Sequence, residues 1–241
     1  MSEPVTRALV VVAHPDDVDF GAAGTVASWT AAGIAVSYCL VTSGDAGGFD
    51  DTPRSEMAGL REAEQRAAAA ELGVTDLTFL RYPDGEVTPS LALRRDISRV
   101  VRRVRPHRVL TQSPEMFWER IGVSHPDHRA TGEATLAAVY PDARNPFAYP
   151  ELLADEGLEA WAVPETWVAG CPPERVNHVV DVGPTLSAKF AALRAHRSQT
   201  AHRDDLETLI KSLLARNRER YAALAADGVE YVEAFQVVDT A

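Results

Sequence analysis

The apolar residues of this 241-residue chain fall into short unbroken runs separated by longer stretches of helical periodicity. Ala8-Leu9-Val10-Val11-Val12-Ala13 is β-branched and continuous, the pattern of a strand buried on both faces of a parallel sheet. Comparable runs predict strands over 7–13, 35–42, 77–80 and 108–112, with helices between them over 25–32, 55–72 and 91–104. The first of these helices is closed by Gly33. Two further strands, over 166–169 and 176–182, precede helices over 186–197 and 204–226. Alternation of this kind specifies an α/β fold: a Rossmann-like three-layer arrangement, with a mostly parallel sheet, right-handed crossovers and helices on both faces. The loops after the strands then gather at one edge, where ligand crevices form in open α/β sheets.

That edge carries the chemistry. His14-Pro15-Asp16-Asp17 ends the first apolar run, and His125-Pro126-Asp127-His128 lies far downstream. Either tetrapeptide alone reads as a helix start, since Pro fixes φ and Asp accepts from free amides. Together they supply every part of a water-activating metal site. A catalytic zinc takes about three His or carboxylate ligands and keeps a position open; His14, Asp17 and His128 meet that count. Asp16 is then free to take a proton from water, and His125 to stabilise an oxyanion or protonate a leaving amine, with Asp127 hydrogen-bonded to its imidazole. The donor set also accepts ferrous iron, cobalt or manganese.

At these residues the chain resembles the PIG-L/LmbE-like deacetylases, metal-dependent enzymes that remove N-acetyl or related N-acyl groups from amino sugars and their conjugates. The likeness extends to Gly24-Thr25, Arg61 with Glu64, Asp84-Gly85, Lys189, His196-Arg197-Ser198-Gln199 and the residues from Tyr231 to Phe235. It implies His14, Asp17 and His128 as ligands of one Zn2+ per subunit, Asp16 as base, and His125 tuned by Asp127. It further implies that Arg61 and Asp84 contact substrate hydroxyls. Members often carry Glu after the paired aspartates; here Val18 stands there and Asp19 follows. The implied substrate is a small amino-sugar conjugate. The alternatives are an amidase acting on thiol S-conjugates with the same site, and a non-catalytic metal-binding member of the fold. Homo-oligomerisation is left open.

Composition narrows the partners. A net charge of −11 argues against a general nucleic-acid binder. Arg94 to Arg108 is the local exception and reads as a helix with a solvated basic face. No apolar run approaches the roughly 20 residues that span a bilayer, and Met1-Ser2-Glu3-Pro4 lacks the pattern of a leader, so a soluble cytoplasmic protein without membrane insertion is expected. Cys39 and Cys171 form no Cys-x-x-Cys pair and read as reduced. The length fits one domain over 1–241. Within it, a segment rich in Pro and aromatics at about 141–175 is expected to cover the crevice, and the glycine-rich loop 42–48 to form a flexible wall. The turn after the first strand carries His-Pro-Asp-Asp where a dinucleotide would need glycine, and no Gly-x-Ser-x-Gly elbow occurs.

Overall fold

A computed structural model describes residues 4–49 and 52–241; Met1, Ser2 and Glu3 of the amino-terminal reading lie outside them. The strands are β1 (Arg7–Val12), β2 (Ala35–Thr42), β3 (Asp76–Tyr82), β4 (Arg108–Gln112), β5 (Glu165–Ala169), β6 (His178–Asp181) and β7 (Val232–Asp239). They form one seven-stranded sheet in the order β3-β2-β1-β4-β5-β7-β6. The first five run parallel, while β7 inserts antiparallel between β5 and β6. The chain thus steps outward from β1 through β2 to β3, then returns to place β4 on the other side of β1. The crevice between the carboxyl ends of β1 and β4 is the switch point at which open α/β sheets bind ligands.

The helices are α1 (Asp17–Gly21), α2 (Ala23–Ala31), α3 (Arg54–Glu71), α4 (Leu91–Val104), α5 (Pro126–Ala137), α6 (Pro150–Ala154), α7 (Leu186–Ala195), α8 (Arg197–Thr200) and α9 (Leu206–Arg220). Two apolar clusters show why both sheet faces had to be covered. Val10, Val12, Tyr38 and Leu40 pack with α2, α3 and α7 residues on one face, whereas Leu9, Val11, Cys39 and Val41 pack with α4 and α5 residues on the other. A third cluster joins α7 to α9 through Phe190, Leu193, Leu206, Ile210 and Leu214.

Two sequence expectations are corrected. The basic face of α4 is not wholly solvated: Arg102 is buried and donates to the carbonyls of Asp142, Ala143, Asn145 and Ala148. That cage also accounts for much of the 141–175 segment, whose Ala169, Gly170 and Cys171 alone border the cavity that holds Asp17 and His128. Most of the segment wraps α4 instead, and Trp161 donates to the Pro106 carbonyl before β4, at the sheet's opposite end. Lastly, loop 42–48 is no flexible wall. A Cβ on Gly44 or Gly47 would stand 2.3 or 2.8 Å from Nη1 of Arg61, so the glycines let the loop close onto that guanidinium. Cys39 and Cys171 are both free and buried.

Candidate metal centre and active site

β1 delivers His14 to the switch point, and the turn into α1 places Asp17 beside it. The His14 amide donates to Asp17 Oδ2 at 2.7 Å, which locks the carboxylate against the imidazole. Between them Asp16 adopts a left-handed backbone (φ 82°), unusual for a residue with a side chain. Two side chains one turn apart on α3 hold it there. Gln65 Oε1 accepts from the Asp16 amide at 2.8 Å, while Arg61 Nη2 donates to the Pro15 carbonyl and to Asp16 Oδ2 at 3.0 Å. Gln65 is fixed in turn, since its Nε2 donates to Asp19 Oδ2, which also receives Nε2 of the fully buried His196 at 2.7 Å. Asp19 thus supplies a buried carboxylate next to Val18, the departure noted in the motif.

From the second tetrapeptide, Pro126 opens α5 and His125 caps it, its Nδ1 accepting from the Asp127 amide. The tetrapeptide does start a helix, but the cap is His125 and not the aspartate, and this has a chemical consequence. A ring whose Nδ1 accepts carries its proton on Nε2 in the neutral form. His128 has the opposite tautomer, because its Nδ1 faces the Val123 carbonyl at 3.1 Å and must donate there. His14 Nε2 meets Asp84 Oδ1 at 3.0 Å and Asp127 Oδ2 at 3.2 Å, so it too is a donor. In the neutral rings the lone pairs would then be Nδ1 of His14 and Nε2 of His128. They face the two oxygens of Asp17, at 3.3 and 3.1 Å. Lone pairs opposed to a carboxylate repel unless a cation or proton lies between them, and histidine ligands commonly donate their other N–H to a carboxylate or carbonyl. The donor set fits a divalent metal.

Two further groupings bring ligand atoms within 4.8 Å of one another: His14 with His125 and His128, and His14 with Asp84 and Asp127. In the first, the protonated Nε2 of His125 offers no lone pair. In the second, the carboxylates are already engaged: Asp127 accepts from the amides of Gly85 and Val87, and Asp84 from that of Ala46. The expected bond from the Asp127 carboxylate to the His125 ring is not formed; the carboxylate goes to His14, because α5 turns it back toward β1. Arg61 and Asp84, expected to face substrate hydroxyls, are both buried: Arg61 gives Nη1 and Nη2 to Gly44, Pro15 and Asp16 while its Nε finds no partner among the described residues, and Asp84 meets His14.

The electrostatics follow from this crowding. Burial disfavours charge on His14, yet Asp17, Asp127 and Asp84 outweigh it and push its pKa up to about 12. The pocket is built to hold positive charge. Burial raises Asp16 to about 6, with Arg61 pulling the other way. For His125, burial and then the neighbouring His14 and His128 lower the pKa, which keeps the ring neutral near pH 7.

Sequence comparison agrees with the geometry. Residues 9–139, more than half of the chain, match the model of the family described as PIG-L: GlcNAc-PI de-N-acetylase. The chain belongs to the PIG-L family. It is 32% identical to the diacetylchitobiose deacetylase of Thermococcus kodakarensis over 81% of this chain and 70% of that protein. It is likewise 32% identical to a 1D-myo-inositol 2-acetamido-2-deoxy-alpha-D-glucopyranoside deacetylase from a Mycobacterium species, over 83% of this chain and 76% of that one. Among solved structures, N,N'-diacetylchitobiose deacetylase from Pyrococcus horikoshii superposes with a TM-score of 0.86 at 28% identity, covering 98% of this chain and 85% of that chain. No helix among the described residues is long and apolar enough to cross a membrane.

Sequence reasoning missed the group behind this PIG-L site. Lys189 Nζ, with no solvent exposure, donates to the carbonyls of Asp19 and Phe20 and to Glu233 Oε1 at 2.9 Å. Glu233 also receives the amides of Gly24 and Thr25 at the start of α2. Lys189 and the residues around Glu233 were visible only as part of a family likeness; a charged pair in otherwise apolar surroundings was the signal available.

Proposed function

We propose that this PIG-L protein is a divalent-metal-dependent deacetylase that hydrolyses the N-acetyl amide of an amino-sugar conjugate, with zinc held by His14 Nδ1, Asp17 and His128 Nε2. The observation that carries the reading is how the three imidazoles are held: Nδ1 of His14 and Nε2 of His128 both face Asp17 while their other nitrogens face Asp84, Asp127 and the Val123 carbonyl, and Nδ1 of His125 accepts from the Asp127 amide, which leaves its Nε2 to donate. A bound divalent cation there supplies a Lewis acid for the amide carbonyl and lowers the pKa of water.

The remaining work belongs to the chain. Asp16 accepts the proton of the attacking water; its raised pKa makes it a better base than an ordinary carboxylate while leaving it ionised at neutral pH. His125, half-exposed and neutral, donates its Nε2 hydrogen to the developing oxyanion, and this suits it better than delivering a whole proton to the amine. Arg61 and Gln65 hold Asp16 in its left-handed turn. Asp84 and Asp127 hold His14, so Asp127 acts through the ligand rather than through His125.

The test joins metal content to turnover. Metal-loaded wild-type protein should release acetate and free amine from a panel of N-acetylglucosamine conjugates, and His128→Ala should lose both metal and turnover. Full metal occupancy in His128→Ala would remove the ligand assignment; absence of acetate release across the panel would remove the activity.

A further inference from the structure

Beside the metal centre lies a cavity of about 370 Å3, within the range of ligand-binding pockets. It starts at Asp17 and His128 and runs inward to Lys189 and Glu233, away from Asp16, Arg61 and Asp84, none of which lines it. Its body is apolar: Phe20 from α1, Phe117 and Val123 from the loop before α5, and Ile210, Leu213 and Leu214 from α9. Arg120, Asn217 and Tyr221 stand at its outer rim, where it joins a second, more charged hollow. The 117–124 loop continues the apolar character outward, with Trp118 79% and Ile121 64% exposed.

We infer that this cavity receives the acyl chain of the scissile amide and that the preferred substrates carry N-acyl groups longer than acetyl. The inference rests on the deacetylase reading above and deepens it. An amide held at the metal centre has two halves. The sugar half is covered with hydroxyls, and a wall of Phe, Val, Ile and Leu would leave them unpaired at a substantial cost. The acyl half beyond its carbonyl has no hydrogen-bonding group, so it suits the mostly apolar pocket that begins at the ligands. An acetyl methyl would leave most of that volume unfilled. The reaction itself is ordinary hydrolysis: water adds its oxygen to the acyl carbon, the C–N bond breaks, and a carboxylate and an amine leave.

Each methylene moved from water into such a wall should raise kcat/KM about fourfold. The experiment uses metal-loaded protein with methyl glycosides of N-acetyl-, N-butanoyl- and N-hexanoyl-glucosamine, alongside the octyl glycoside of N-acetylglucosamine. The expected result is a rise along the acyl series, tighter competitive binding of hexanoate than of acetate, and a hexanoyl-to-acetyl ratio that drops at least tenfold in Leu213→Trp. Val123→Phe narrows the same space from the opposite wall and serves if the first variant does not fold. Robust acetate release with a flat or falling acyl series would overturn the inference while leaving the deacetylase reading intact. A gain that follows the octyl aglycone instead would assign the cavity to the amine side and overturn it as well. Hydrolysis of none of the four would sink both.

Discussion

Replacing Lys189 by Met keeps the length and apolar stem of the side chain and deletes only the ammonium. Three contacts disappear: the ion pair to Glu233 at 2.9 Å and the donations to the Asp19 and Phe20 carbonyls, each at 2.8 Å. Breaking one partner of a buried pair costs about 3–5 kcal/mol, mainly through the charge left behind. Here Glu233 keeps the amides of Gly24 and Thr25, so the lower end applies, about 3 kcal/mol. For a chain of this size that is a fall in Tm of about 6–12 °C. The measurement is urea unfolding of metal-stripped protein, because a bound metal would add its own linkage stabilisation. Adding Glu233→Gln to Lys189→Met removes the orphan charge and should recover about 1–2 kcal/mol. A loss below about 1 kcal/mol in the single variant, or no recovery in the double, would show that the ammonium does not compensate a buried charge.

Other expectations follow from the same geometry. Asp16→Asn should lower kcat by about 10²–10⁴ with metal content unchanged, and near-normal turnover would exclude Asp16 as the base. Because catalysis requires the Asp16 carboxylate, activity should be full above its pKa and fall as pH drops through it. Arg61→Met removes the charge that lowers that pKa, so the acid limb should move to higher pH; the comparison of the two pH–rate profiles checks the sign. Asp127→Asn should weaken metal affinity about 10–100-fold, as expected for a group that orients a ligand; unchanged affinity in a metal titration would return Asp127 to His125. Gly132→Ala should cost about 1–3 kcal/mol in a denaturant titration, since a Cβ there would stand 2.2 Å from the Gln112 carbonyl and push α5 off β4.

The parallel half of the fold was legible because its strands are continuous apolar runs, and their ends carried the two His-Pro-Asp motifs. β7 was not, since Glu233 interrupts the apolar face of Val232–Asp239 at a position that turns out to be buried. Helices α1 and α5 were legible only as starts at the two tetrapeptides and not in their extent, because their first turns are made of the site residues themselves and chemistry masked periodicity. The site was readable at the level of residue type. What could not be read was which carboxylate serves which imidazole. Spacing put Asp127 next to His125, but a helix start turns successive side chains apart, and only the position of β1 beside α5 shows that Asp127 reaches His14. Arg61 and Asp84 are a similar case, as polar residues near a crevice look the same in sequence whether they face substrate or hold its neighbours.

The clamp behind the active turn joins distant parts of the chain: Gly24 to Glu233 across 209 positions, and Asp19 to Lys189 across 170. During synthesis the turn that carries His14, Asp16 and Asp17 emerges long before the strand that braces it. A nascent chain therefore exposes these donors for most of its translation without the support that shapes them into a catalyst. Competence waits for β7, and a polypeptide cut short before it would possess the whole signature motif without the Glu233 brace behind it.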